Sequence, residues 1–270
     1  MSKALAVMST GPFGLSRRQL HTALGTLPFL VLLLAWLLAP HVADYPPYML
    51  PTIAEVWSRF WTGLTDGALL ENVGGSLYRL FLGFVIGNGL AIPLGIAIAL
   101  NRTVSDTLRP LLTFLQSIAG IAWVPLAVVW FGIGLGSVVF VIANTIFFAN
   151  LYNTIIGVQQ IPNVLYRAVR SHGGKGVQIF TELVVPGALV QIILGLRTSM
   201  AYGWRALVAA EMIAGTNGLG YLTIEAVQWY QTDIIIMGMI LIGLLWLILD
   251  RLIFVPLERM TVVRWGLLRR

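Results

Sequence analysis

The chain is a series of long apolar runs separated by shorter polar stretches. The runs fall at about 22–40, 78–100, 109–131, 137–157, 187–214 and 233–256. Each approaches the ~20 residues that a helix needs to cross a bilayer. None has the two-residue alternation of the ~10-residue strands in membrane barrels. The pattern predicts an all-α integral membrane protein with six transmembrane helices. It divides the chain into an N-terminal segment 1–21, one transmembrane domain 22–256 and a basic tail 257–270. The N-terminus has a basic region before its apolar run, like a signal peptide. The run is too long for a signal core and lacks a clear cleavage site, so it reads as an uncleaved first span.

Two polar intervals have structure of their own. Between the first two runs, Pro46, Pro47 and Pro51 precede TIAEVWSRFWTGL. Ile53, Val56, Trp57, Phe60, Trp61 and Leu64 recur at helical spacing, and Thr52 with Glu55 makes a capping box. This predicts an amphipathic helix that lies on the outer membrane surface or packs against the spans. The second interval, at about 160–185, contains IPNVLYRAVRSHGGKGVQIFTELVVP. Pro162 suits a first helical turn. Val164, Leu165, Ala168 and Val169 follow at helical spacing, with Arg167 and Arg170 turned elsewhere. Gly173 and Gly174 stop that helix, and VQIFTELV starts a second one that runs into the fifth span. A short helix that cannot bury its own apolar side suits a groove in a partner.

Composition supports the membrane reading. Of 270 residues, 58% are hydrophobic and 10% charged, against about 25% charged in soluble domains. With no cysteine, disulfide and thiol chemistry are excluded. The placement of charge orients the chain. Thirteen of the 17 basic residues fall on one side if six spans alternate: Lys3, Arg17, Arg18, Arg102, Arg109, Arg167, Arg170, Lys175, Arg251, Arg259, Arg264, Arg269 and Arg270. The opposite loops hold Arg59 with Asp44, Glu55, Asp66 and Glu71. The positive-inside rule then places both termini in the cytoplasm.

Small residues inside the spans, including the Gly83–Gly87 pair, allow close helix packing within the bundle or at a dimer seam. Charges inside a span are costly and mark function. The fifth span carries Arg197, Arg205 and Glu211. Arg205, beside Trp204, suits recognition of a small oxyanion, or else a structural ion pair or snorkelling to the outer surface. Glu211 is six residues further on and on another helix face, so pairing within the helix is poor and a partner on another span is possible; it reads as a structural or gate residue. Arg197 reads as an anchor or ion-pair member. Asn144 and Gln116 are candidates for the lining of a substrate path, or for interhelical hydrogen bonds. HGGKG is no phosphate cradle, because Val169 and Gly176 break the P-loop pattern. His21, His41 and His172 have no metal-ligand spacing, so no metal is expected. Nucleic acid is not an expected partner.

The second polar interval resembles the cytoplasmic signature of ABC-transporter permeases, which reads roughly E-A-A-x-x-x-G-x9-I-x-L-P. Ala168 and Gly173 match it, Leu183 and Val185 stand in conservatively, and Pro186 closes it. Arg167 replaces the acid and Val169 the second Ala. WVPLAVVWFGIG, GLRTSMAYGWRALVAAEMIAGTNGLGYL and TDIIIMGMILIGLLWLILDRLIFVPLER resemble the branch that imports nitrate, sulfonates, taurine and bicarbonate. The resemblance covers most of the chain after about residue 50.

It implies a type I ABC importer permease fold in the bacterial inner membrane. Its coupling helix would comprise Val164, Leu165, Arg167, Ala168, Arg170, His172, Gly173, Gly174, Lys175 and Gln178. It also implies an ABC ATPase in two copies, carrying ATP and Mg, and a second permease copy, as a homodimer. An external binding protein, periplasmic or lipid-anchored, would deliver a small anion. The chain itself would be no enzyme and hold no cofactor. Within the same fold, an aromatic acid or a vitamin precursor is the alternative cargo. An ion-coupled secondary transporter is the rival class, although no inverted repeat is evident. An intramembrane enzyme would need a convergent set of catalytic residues, which the spans do not display.

Overall fold

The computed structural model describes residues 17–42, 46, 49–258 and 260. Lys3, Asp44, Pro47, Arg259, Arg264, Arg269 and Arg270 lie outside the described residues, as do the side chains of Arg17, Arg18, His21 and His41. Helices make up nearly all of what is described. In chain order they are α1 (Arg17–Val42), α2 (Ile53–Thr65), α3 (Ala68–Leu100), α4 (Arg102–Ser117), α5 (Val124–Phe131) and α6 (Leu135–Gln159). They continue with α7 (Asn163–Ser171), α8 (Gly176–Ala214), α9 (Leu219–Gln228) and α10 (Thr232–Glu258).

Four of these, α3, α6, α8 and α10, are long and apolar enough to cross a membrane. The α4–α5 pair passes the same test only as two helices broken by a sharp bend, either a broken span or a re-entrant loop, and α1 contributes a shorter apolar stretch, Gly25–Ala39. The expected spans match these segments closely at 137–157, which becomes Leu135–Gln159. The second is longer than expected, starting at Ala68 rather than 78.

The third expected span is corrected. Residues 109–131 do not form one straight rod, because α4 and α5 meet at 87°. Ile118 and Ala119 are extended between them, and a 3₁₀ turn, Gly120–Trp123, leads into α5. Apolar content is blind to this break. The break is packed closely against α6: Gly120 lies against Thr145, where a Cβ would collide with the hydroxyl. Pro125 does not kink a continuing helix. It occupies the first turn of α5, where its missing N–H costs no bond.

α6 is the centre of the bundle, packed along its length against α3 and α8. The approach is set by glycines. A Cβ on Gly87 would stand 2.7 Å from the Ala143 carbonyl, and one on Gly95 2.8 Å from Thr154 Cβ. Gly83 abuts Ile142, so the Gly83–Gly87 pair packs within this chain. Gly203 of α8 faces Ile146 from the other side, where an added Cβ would stand 2.6 Å from Ile146 Cδ1. The resulting core joins Leu80, Val141, Ile142, Ile146, Met200 and Leu207.

Two helices share one further device. In α8 the stretch Ile179–Val184 is a π-turn just before Val185–Pro186. In α10 the stretch Asp250–Phe254 is a π-turn just before Val255–Pro256. In each, the valine N–H bonds five residues back, to Phe180 or Asp250. Proline lacks the N–H for an i−4 bond and its ring crowds that carbonyl. Widening the preceding turn lets the helix continue through the proline.

Helix α2 has the expected capping box. The Glu55 N–H donates to Thr52 Oγ1 at 3.3 Å, and the Thr52 N–H to Glu55 Oε2 at 2.9 Å. It packs through Val56 and Phe60 beside Met237 and Ile234 of α10. Arg59 pairs with Asp233 at 2.6 Å, and Trp57 and Trp61 stay exposed.

Candidate functional site

Three groups of polar residues stand apart from the apolar packing. The first is at the α6–α8 connection. Pro162 opens α7, and Gly173, at φ +82°, closes it. The Gly173 N–H bonds the Arg170 carbonyl at 3.0 Å and the Gly174 N–H the Val169 carbonyl at 2.9 Å. This pair of bonds is a Schellman closure. Both glycines are required, for different reasons. Gly173 takes the left-handed conformation. Gly174 leaves room for Val169, whose Cγ1 would stand 2.5 Å from an added Cβ.

Val164 and Leu165 are exposed, at 69% and 44%, and Val177 beyond the turn at 77%. Ala168, His172, Lys175 and Gln178 are exposed as well. The His172 ring bonds the Ala168 carbonyl through Nδ1 at 2.8 Å, and the Lys175 N–H donates to Gln178 Oε1 at 3.2 Å. Arg167 and Arg170 turn away from Val164 and border a cleft against α4, together with Tyr166. Partial burial pushes the Tyr166 hydroxyl above its ordinary pKa, so it stays protonated.

The second group lines a cavity of about 310 Å³ at the bend between α4 and α5. Gln116 comes from α4, Asn144 and Thr145 from α6, and Tyr202 from α8. Two expected path residues, Gln116 and Asn144, are thereby brought together. Arg205 is exposed on the outside of α8, its guanidinium 5.9 Å from the centre of the Tyr202 ring. Trp204 turns the opposite way. It is buried in the core, 6.3 Å from the Trp246 ring, and does not line the cavity.

The third group surrounds Glu211, which is fully buried. Its partner is Arg79 of α3, with Nη1 at 2.9 Å from Oε1. Ser76 Oγ lies 2.8 Å from both carboxylate oxygens, and the Gly220 N–H donates to Oε2 at 3.0 Å. Arg79 also donates to the Asn217 carbonyl at 3.0 Å and to its side-chain oxygen. The turn that follows α8 therefore folds back over the carboxylate. Gly218, at φ +111°, presses against Glu211 so closely that no side chain fits. Sequence reasoning missed Ser76, Arg79 and Asn217. A signal was present, in the buried-span position of Arg79 and the G-T-N-G-L-G run after Glu211. Arg197 forms a separate cluster, 2.8 Å from Asp250 and 2.6 Å from Glu258 of α10. Among the described residues, no group of three or more His, Asp or Glu side chains is placed to hold a metal.

Comparison with known proteins identifies the family of the chain. Residues 91–260 match the family described as binding-protein-dependent transport system inner membrane component. The taurine transport system permease protein of Escherichia coli K12 is 33% identical over 238 residues, 86% of this chain and 86% of that protein. The bicarbonate transport system permease protein of Synechococcus elongatus is 37% identical over 195 residues, 71% of this chain and 69% of that one. A chain of the methionine ABC transporter MetNI, solved in inward-facing conformations, superposes with a TM-score of 0.57 at 19% identity. The match covers 69% of this chain and 95% of that one, and its fold is that of the type I importers. The chain belongs to the binding-protein-dependent permeases, the membrane-spanning subunits of ABC transporters.

Proposed function

We propose that this permease carries a small anion of the sulfonate, taurine or nitrate kind into the cell, from an external binding protein. α7 and its glycine turn would act as the coupling helix. Two ATPase copies, holding ATP and Mg, would drive a homodimer of this chain, with both termini in the cytoplasm. The observation that carries the coupling role is the exposed apolar face of Val164, Leu165 and Val177. It lies at the end of the molecule where four arginines gather. An apolar face beside basic residues, on a helix too short to fold alone, fits a protein groove better than water. Substituting Asp for Val164, Leu165 and Ala168 together should abolish co-purification with the ATPase and leave membrane insertion intact. Survival of the complex would remove the coupling assignment.

The substrate class rests on Arg205. A guanidinium exposed on a spanning helix is costly against lipid, whereas facing a water-filled space between two copies it is tolerated. There it would stand above Tyr202, next to the cavity that holds Gln116 and Asn144, and would attract an oxyanion. Arg205→Ala should cut uptake of labelled taurine, nitrate or whichever anion the wild type carries, with assembly unchanged. Wild-type uptake in that variant would take Arg205 off the path.

A further inference from the structure

A cleft of about 640 Å³ opens where α4 leaves the end of α3 and faces α7. Four guanidinium groups border it: Arg102 and Arg109 from α4, and Arg167 and Arg170 from α7. One carboxylate faces them, that of Asp106, loosely paired with Arg102 at 3.8 Å on an exposed helix turn. Arg109, Arg167 and Arg170 make no ion pair among the described residues. Four like charges around one space repel each other, and this favours a site that takes up an anion.

α4 shows what kind of anion. Positions 102, 106 and 109 share one helix face, which turns into the cleft. Val104, Leu111 and Phe114 lie on the opposite side and are exposed, Phe114 at 64%. A helix with arginines on one face and large apolar side chains on the other belongs in the interface of a membrane. The cleft walls are themselves mixed, because Leu100 and Val158, at the ends of two spanning helices, stand beside the arginines. With α4 in the interface the recess would be level with the headgroup layer, open to a charged headgroup and flanked by apolar surface for its chains.

We infer that the cleft between α4 and α7 binds the phosphate of an anionic lipid headgroup. Bound there, the lipid would bridge α4 to α7. Only its assignment to the cytoplasmic leaflet rests on the orientation proposed above.

The test uses the full-length chain in mild detergent and native mass spectrometry with added phosphatidylglycerol, phosphatidylcholine or inorganic phosphate. Phosphatidylglycerol should be retained in preference to phosphatidylcholine. Its retention should fall about fivefold for each arginine lost in Arg102→Gln and Arg109→Gln. Arg251→Gln, an exposed arginine away from the cleft, should leave it unchanged. Equal retention of the two lipids would overturn the inference, and so would equal loss in the Arg251 variant. Inorganic phosphate displacing the lipid completely at equal concentration would replace the headgroup with a free anion and overturn it as well. If Arg102→Gln and Arg109→Gln abolished ATPase co-purification with lipid retention intact, the cleft would belong to the ATPase. Orientation is checked separately. The chain has no cysteine, so Ser171→Cys reports which side an impermeant maleimide reaches, whatever the lipid result.

Discussion

The two ends of α8 handle polar and apolar groups in opposite ways. At its far end, around Glu211, nearly everything is satisfied within the chain. A buried carboxylate meets a guanidinium, a hydroxyl and a backbone N–H, and the turn Gly215–Gly218 is closed over it. At its near end, α7 and Lys175–Gln178 have a well-formed backbone whose apolar side chains face outward. One end is complete in a single copy. The other is ordered by two glycines and a Schellman closure, yet its surface needs something more. A transporter has reason for this division. The clasp ties α3, α8 and the turn before α9 together, and under the proposed function the unsatisfied helix is where another chain's motion would enter.

The sharpest way to break the comparison is at the clasp. Glu211→Ala would leave the Arg79 guanidinium buried without its counter-charge. Removing one partner of a buried pair costs about 3–5 kcal/mol, a large share of the ~5–15 kcal/mol that holds a domain together. The variant should lose most of its monodisperse yield and unfold well below the wild type in a thermal scan in detergent. Changing both partners, Arg79→Leu with Glu211→Leu, should recover part of the loss, because no lone charge remains. A double variant as unstable as Glu211→Ala would mean that the clasp acts through Ser76 and the backbone of the turn, not through charge.

The clasp also marks the limit of what the sequence reveals. Rules of spacing see neighbours on one helix, and they recovered the Thr52–Glu55 capping box, the α6 span and the Gly173–Gly174 stop. They rejected an Arg205–Glu211 pair correctly, since residues six apart face different ways. They had no means to choose Arg79, because it is 132 residues away in sequence and only packing across α6 brings the helices together. The bend at Ile118–Ala119 was hidden for a related reason. Hydropathy reports that a segment prefers lipid and carries no direction. Gly120 and Pro125 mark the break only once Thr145 is known to stand against it.

Intermediate effects are expected in the glycine turn. Gly174→Ala forces a methyl against Val169 and should cost about 1–3 kcal/mol through overpacking or loss of the Schellman bond. Gly173→Ala meets no neighbour within 4 Å. Its penalty is the left-handed backbone alone, about 1–2 kcal/mol. Amide exchange at Gly173 and Gly174 should speed up in both. It should rise more in Gly174→Ala, where the bonded neighbour itself is displaced. The reverse order would show that backbone conformation, not the space beside Val169, limits this turn.

The smallest effect on stability belongs to the substitution with the largest expected effect on assembly. Val164, Leu165 and Ala168 already face outward, so Asp at these three positions strands no buried group and opens no cavity. Exposed changes of this kind stay within about 0.5 kcal/mol each. The thermal midpoint of the isolated permease should barely move. In the complex with the ATPase the same changes bury three carboxylates in an apolar groove, and the complex should not form. A large drop in the midpoint of the isolated chain would mean that α7 folds back onto its own spans, and the contrast between the two ends of α8 would disappear. A stable permease that no longer retains its ATPase would show that this helix spends its apolar surface on another chain.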